Sequence, residues 1–502
     1  MRRRSMQLCK GRNGDRDMRQ EEMKKILKIG VLLSSERDLD CLLERILSCV
    51  MELANCDAGT LYLREGDALQ FEIMRNDTLK TYSGGRGNRP DLPPVPLHRG
   101  NVCAMALLED RTICIEDVKN NQEYDFSGPA RYDAMTGYNT RSMLVVPMRN
   151  REGERIGVLQ LINALDEKGN VCAFAQDMAL VVESVASQAA ITIQNVRYIG
   201  EIRELFRSFV RVMSSAIDER TPYNASHARH MAECGGRFID YLGGCEGQRR
   251  FSEEEKEEFL MSVLLHDIGK LVTPLEVMNK AERLFPEQYT AFLHRMETVR
   301  LTARINRLSG NITKEEEEEL ILRTRDAETL VKEMNTAGFV TDEMLKQLDR
   351  LREENCTDED GAVRPWLEPE AYAMLTIRKG TLSEEERKIM EEHVSVTDRL
   401  LSQIHFSGNL SHVREWAGAH HEFLNGTGYP AHKKGKEIPY EVRMITILDI
   451  FDSLVADDRP YKRAMPVGRA LSILKCMAEQ EGKLDPELTR LFIESRCWEE
   501  PD

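Results

Sequence analysis

From Asp177 to Asp218 no proline interrupts a helical pattern, and no other stretch of the chain constrains the fold so strongly. Val185, Ala189, Val196, Ile199, Phe206, Met213 and Ile217 recur at intervals of three, four or seven residues, with Gly200 as a weak point. A helix of this length exceeds what one small domain can cover. The pattern therefore predicts either a helix packed on its own domain or a stalk that pairs two subunits, and we favour the stalk. In both cases it separates two halves of different character.

Upstream lie segments rich in β-branched residues and bounded by turn formers: 58–63, 112–115, 142–148 and 155–163, preceded by an amphipathic stretch at 38–54. This half reads as mixed α+β. Residues 1–23 read as a disordered tail, or as sequence upstream of a start at Met23. At 502 residues the chain needs two or three domains. Its net charge of −16 argues against nucleic acid as a partner. No apolar run approaches the roughly 20 residues of a membrane span, and the N-terminus makes a poor signal peptide. Twelve cysteines without a CxxC pair point to a reducing compartment, so a cytoplasmic location is expected.

Downstream of Glu219 nearly everything reads as helix. Ser252–Glu255, Thr313–Glu316 and Ser383–Glu386 each fit a capping box, with an acid three residues after a hydroxyl N-cap. Five of the 11 histidines and two aspartates fall in apolar helical settings: His227, His266, Asp267, His393, His420, His421 and Asp449. A buried carboxylate such as Asp449 is costly without a cation. Asp267 could bridge two cations through its two oxygens, and two divalent ions can clamp a phosphoryl group for in-line attack. Lys270 could neutralise a phosphate oxygen or help to protonate a leaving group.

"HDIGK", "HHEFLNGTGYP" and "DIFDSLVADDRPYK" together resemble the HD-GYP domain, a branch of the HD-superfamily metal phosphohydrolases, over about 219–280 and 379–475. The resemblance implies a phosphodiesterase that hydrolyses cyclic di-GMP to pGpG or GMP on two divalent metal ions, iron or manganese. It assigns His227, His266, Asp267 and Asp449 to one metal, and Asp267, His393, His420 and His421 to the other. It implies catalytic roles for Asp267 and Lys270. Arg459 and Lys462 would face the nucleotide, as would Tyr429 of the Gly428-Tyr429-Pro430 loop, which is also a candidate surface for a protein partner. Members with a third metal carry a Glu where this chain has Tyr223, so two metals are expected. Asn425 stands where the family usually has Asp. Residues 282–378 interrupt the usual path between ligands and read as a helical insertion, either a surface elaboration or a lid or docking arm.

"RYDAMTGYNTRSMLVVPMRNREGERIGVLQLINA" resembles a GAF domain, a small-ligand sensor, over about 35–197. Asn163, Phe174 and Asp177 match cyclic-nucleotide-binding members, but Ala164 replaces their Lys. Thr136, Tyr138, Thr140 and Arg141 are candidates either for a pocket or for strand-edge packing. The expected architecture is multidomain: an α+β GAF domain (24–197, antiparallel sheet with flanking helices), a helical linker (198–218) and an all-α HD-GYP domain (219–502). A homodimer with an unidentified small ligand at the GAF domain is expected. The alternatives are a phosphohydrolase for another cyclic dinucleotide or nucleotide, or a non-catalytic cyclic di-GMP receptor.

Overall fold

The structure, a computed structural model, describes residues 30–31, 36–220, 226–357, 361–456 and 465–499. The predicted tail 1–23, Tyr223, Arg459 and Lys462 lie outside these residues. The chain divides into two units, Met1–Leu205 and Phe206–Asp502.

The first unit is built on an antiparallel sheet. Helix α1 (Leu39–Ala54) precedes β1 (Cys56–Glu65), β2 (Ala68–Asn76), β3 (Thr81–Gly84) and β4 (Val95–Pro96). Helix α2 (Val102–Glu109), β5 (Ile113–Ile115) and α3 (Ser127–Thr136) lead to β6 (Met143–Arg149), β7 (Arg155–Leu165) and β8 (Val171–Cys172). The strand order is β3-β2-β1-β7-β6-β5, with β4 beside β2 and β8 beside β7. Side chains alternate across the sheet with the period of two that a strand imposes. Leu61, Leu63, Leu144, Val146, Leu159 and Leu161 face one core, closed by α1. Tyr62, Met143, Val145 and Val158 face a second core, closed by α2. Because both faces are covered, the central strands are largely buried, with Thr60, Gln160 and Asn163 as buried polar exceptions.

Helix α4 (Gln176–Asp218) runs 43 residues without a break, straight through Gly200. Its first turns bury Val182, Val185, Ala186, Ala189, Ala190 and Ile193 in the α1 core, and Val196 packs half-buried beside them. Its last turns bury Val210 and Ile217 in the second unit, with Phe206 and Met213 against them. This corrects the expected stalk seam. Val185, Ala189, Val196, Phe206, Met213 and Ile217 pack inside their own units, and of that set only Ile199 is exposed. An apolar period alone does not say which stripe of a helix its own domain consumes.

The second unit is helical. Helices α5 (His227–Gly244) and α6 (Glu253–Leu265) are followed by a short 3-10 turn (Ile268–Leu271) and by α7 (Leu275–Met278). An inserted module then comprises α8 (Pro286–Leu308), α9 (Lys314–Thr336), α10 (Asp342–Arg352), a small hairpin of β9 (Asn355–Thr357) and β10 (Val363–Pro365), and α11 (Pro369–Leu375). Helices α12 (Glu384–Leu401), α13 (Val413–Ala417), α14 (Tyr440–Val455), α15 (Val467–Glu479) and α16 (Pro486–Ser495) complete it. The three expected capping boxes form at the starts of α6, α9 and α12.

The insertion has a core of its own, including Phe292, Met296, Val331, Met334, Leu348, Trp366 and Leu375. It leaves and rejoins the unit at one narrow neck. Arg283, fully buried, donates to the carbonyls of Ile377, Met334 and Ala337. Lys280 Nζ meets Glu386 at 2.6 Å, and Thr381 Oγ1 donates to the Lys280 carbonyl. An Arg283→Ala substitution would remove the donor from three carbonyls, that of buried Met334 at about 1–3 kcal/mol and the part-buried Ile377 and Ala337 at less. We expect it to loosen the module selectively: limited proteolysis should cut faster within 286–375 while α5 and α14 stay protected.

Candidate metal centre

Five of the seven predicted ligands, His227, His266, Asp267, His420 and His421, sit at a helix end or in a turn, and His393 and Asp449 project from within α12 and α14. His266 caps α6 and donates from Nδ1 to the Val263 carbonyl at 2.6 Å. His393 does the same to Met390 at 2.5 Å, and His420 to Ala417 at 2.7 Å. A carbonyl can only accept, so Nδ1 carries the proton in all three rings and Nε2 presents its lone pair. These three Nε2 atoms and Oδ1 of Asp267 are buried and have no hydrogen-bond partner. Buried polar atoms are almost always paired. Four such orphans around one carboxylate are what bound cations would satisfy.

Asp267 sits at the middle. Its Oδ2 lies 3.2 Å from His266 Nε2 and 3.9 Å from His227 Nε2. Its Oδ1 lies 3.4 Å from His393 Nε2 and 3.9 Å from His420 Nε2. The donor atoms accordingly fall into two groups able to hold a metal, His227–His266–Asp267 and His393–His420–His421. Asp449, on α14, lies between them, 3.3 Å from His227 Nε2 and 3.6 Å from His421 Nδ1. All seven predicted ligand residues are brought together. Lys270 Nζ contacts Asp267 Oδ2 at 2.5 Å, and the Tyr429 ring lies 4.8 Å from that of His421.

The electrostatics follow from this crowding. Burial pushes the Asp267 carboxyl up, but His266 and Lys270 outweigh it and hold it well below the usual carboxylate range. Burial likewise works against the Asp449 carboxylate, and its bond with His227 holds it low. Burial lowers His393, His420 and His421, the last to about 4, so these rings are neutral at pH 7. For His227 burial is overcome by bonds with Asp449 and Asp452, and its pKa is pushed up to about 10.

Three supporting residues were not foreseen from the sequence. Asp452, one turn past Asp449 on α14, accepts from His227 Nδ1 at 2.6 Å; the i, i+3 pair of acids in "DIFD" was the available signal. Thr397 Oγ1 accepts from the Gly269 amide at 2.9 Å and donates to the His266 carbonyl at 3.0 Å. Gly269 is obligatory there, because a Cβ would fall 1.9 Å from the His393 carbonyl oxygen. Glu422, buried in the "HHE" run, accepts from the amides of Ala431 and Lys433 and ties down the Gly-Tyr-Pro loop. Asn425 donates from its amide to the Glu481 carbonyl at 2.9 Å, a bond that an Asp could not make. In the first unit Tyr138 donates to Asp57, Thr140 to Asp133, and the Arg141 amide to Asn163 Oδ1. Strand-edge packing accounts for these candidates.

Comparison with known families agrees with this layout. The family model of the GAF domain matches residues 38–193, and that of the HD domain matches 368–488. The chain carries a GAF domain and an HD domain. The HD match begins at residue 368, near the end of the insertion, so it contains His393, His420, His421 and Asp449 but not His266 or Asp267. The chain is 40% identical over 110 residues to a 3'3'-cGAMP-specific phosphodiesterase of Vibrio cholerae, over 22% of this chain and 23% of that protein. It is 34% identical to a cyclic di-GMP phosphodiesterase of Thermotoga maritima, over 24% of this chain and 31% of the relative. A cyclic di-GMP phosphodiesterase response regulator of Xanthomonas campestris is 35% identical over the same shares of the two chains. The similarity thus spans between about a quarter and a third of these relatives' lengths.

His227 makes the centre sensitive to pH. Metal binding requires a neutral ring, and below pH 10 the metal-free ring is protonated. Loading at pH 7 should release about one proton from this residue, with affinity rising as the pH climbs to about 10. Calorimetry in buffers of different ionisation enthalpy reads the proton count. An Asp452→Asn variant should bind metal about 10–100-fold more weakly while the fold, read by circular dichroism, is unchanged.

Proposed function

We propose that this chain is a metal-dependent phosphodiesterase that hydrolyses cyclic di-GMP to pGpG or GMP in the cytoplasm. The observation that carries this reading is Asp267, whose two oxygens face two separate groups of histidines. By this assignment His227, His266, Asp267 and Asp449 hold one divalent ion. Asp267, His393, His420 and His421 hold the other, with iron or manganese the expected metals. A bound pair of ions would supply a nucleophilic hydroxide and neutralise charge on the phosphoryl oxygens.

The chain's own residues do the rest. Thr397 and Gly269 fix the turn that presents His266 and Asp267, and Asp452 keeps the lone pair of His227 turned inward. Lys270, beside Asp267 and partly exposed, takes a phosphate oxygen. The Tyr429 ring, tilted against His421 on the loop that Glu422 anchors, contacts the nucleotide, and the family resemblance assigns the same role to Arg459 and Lys462. The Gly-Tyr-Pro loop also serves a protein partner. The GAF domain binds a small ligand and regulates turnover in a homodimer.

A second reading concerns only the base. The 40% identical relative is named for 3'3'-cGAMP, which has the same phosphodiester ring with one adenine. Protein purified without oxygen and loaded with iron(II) or manganese should hydrolyse cyclic di-GMP, and Asp267→Ala should cut turnover by on the order of a thousandfold or more. Higher kcat/KM for 3'3'-cGAMP in the same assay would move the assignment to that substrate. A metal-loaded chain inert on both would overturn the phosphodiesterase reading.

A further inference from the structure

Cys234 on α5 and Cys497 just past the end of α16 are 263 positions apart in the sequence, yet their sulfurs meet at 3.1 Å. Both are buried, at 6% and 3% exposure, in the core that packs α5 against α14 and α16. Cys234 follows His227 by two turns on the same face of α5. Trp498, next to Cys497, packs on Phe451 at 5.1 Å, and Phe451 stands between Asp449 and Asp452 on α14. The two thiols are not equivalent. The hydrogen bond from Cys234 holds the Cys497 thiol below its usual range in spite of burial, with Ser495 and the charge of Arg237 helping. Arg237 is fixed there by donating from Nε to the Cys497 carbonyl at 2.5 Å. The same thiol–thiol bond, with burial, pushes Cys234 up. One sulfur is therefore disposed to act as thiolate and the other to keep its proton, the division between an attacking and a resolving cysteine.

We propose that Cys234 and Cys497 form an oxidation site, which hydrogen peroxide closes to a disulfide within the folded second unit. The Cys497 thiolate attacks one peroxide oxygen, the O–O bond breaks, and a sulfenic acid and hydroxide result. The proton that Cys497 gave up turns this hydroxide into water. The Cys234 sulfur then attacks the Cys497 sulfur, the S–O bond breaks, and the hydroxyl leaves with the Cys234 proton as a second water. Two thiols and one peroxide thus give one disulfide and two waters. To reach bonding distance the sulfurs need to approach by only about 1 Å. Burial directs the second step, because a sulfenic acid at Cys497 meets Cys234 ahead of any thiol from solution. In a reducing compartment the pair rests as thiols and closes only when oxidant arrives. The bond ties the end of the chain to α5, whose first turn carries His227, and it does not depend on what the metal centre hydrolyses.

The test uses the full-length protein, reduced, freed of small thiols and treated with hydrogen peroxide, with manganese rather than iron(II) supplied so that the metal generates no radicals. Peptide mapping without reductant should recover the peptides of Cys234 and Cys497 joined to each other, while circular dichroism of the same sample is unchanged. Dithiothreitol should return both to free thiols. Two variants separate the roles. Cys234→Ser should stop at the sulfenic acid, trapped by dimedone on Cys497, and Cys497→Ser should label Cys234 at least about tenfold less. Circular dichroism shows whether each variant is folded. Two thiols that remain free in the oxidised chain, a joined peptide that appears only once the fold is lost, or equal dimedone labelling of the two variants would overturn the proposal.

Discussion

The second unit is organised around one buried carboxylate. Asp267 is only 5% exposed, and an ion taken out of water at such a depth costs several kcal/mol unless its surroundings repay it. His266 and Lys270 repay part of this at one oxygen, Thr397 holds the neighbouring turn, and the unpartnered Oδ1 leaves the rest to a cation. This demand fixes the packing. The 3-10 turn after α6 must lie so close to α12 that only glycine fits at position 269. α12 must in turn present His393 where α6 presents His266. With one partner removed the remaining groups are uncompensated, so the site behaves as a unit.

That organisation explains how the chain tolerates a module inserted between two of its ligands. The neck brings Lys280–Arg283 against Ile377–Thr381, bonded across by Arg283, by the Val340 amide to the Arg378 carbonyl, and by a β-bridge between Phe339 and Lys379. Where the two ends of an insertion lie side by side, its length adds little closure entropy to the host. The module meets its remaining needs with its own core. Lys280, buried at the neck, hands its charge to Glu386 in the first turn of α12, which also closes the Ser383 capping box. One acid thus fixes both the start of the ligand-bearing helix and the exit of the insertion.

Much of this was legible because it is local. The capping boxes, the strands of the sheet and the seven clustered ligands each announce themselves within a few residues. What escaped were contacts made across the fold. Asp452 reaches back to a ring 225 positions earlier, and Thr397 clasps a turn 131 positions away. Glu422 stood in plain view between His421 and the glycine turn, yet its backbone partners lie on the far side of that turn. The misplaced seam has a different cause. α4 is apolar on two sides, and a period of 3.5 fits both the side that its own units consume and the side left open.

Those two sides give α4 an unusual mechanical position. It begins in the core of the GAF domain and ends at Asp218, whose carboxyl is buried and pushed up to about 6 by that burial, with the charge of His227 pulling against it. The helix therefore delivers a carboxyl to the field of the metal centre.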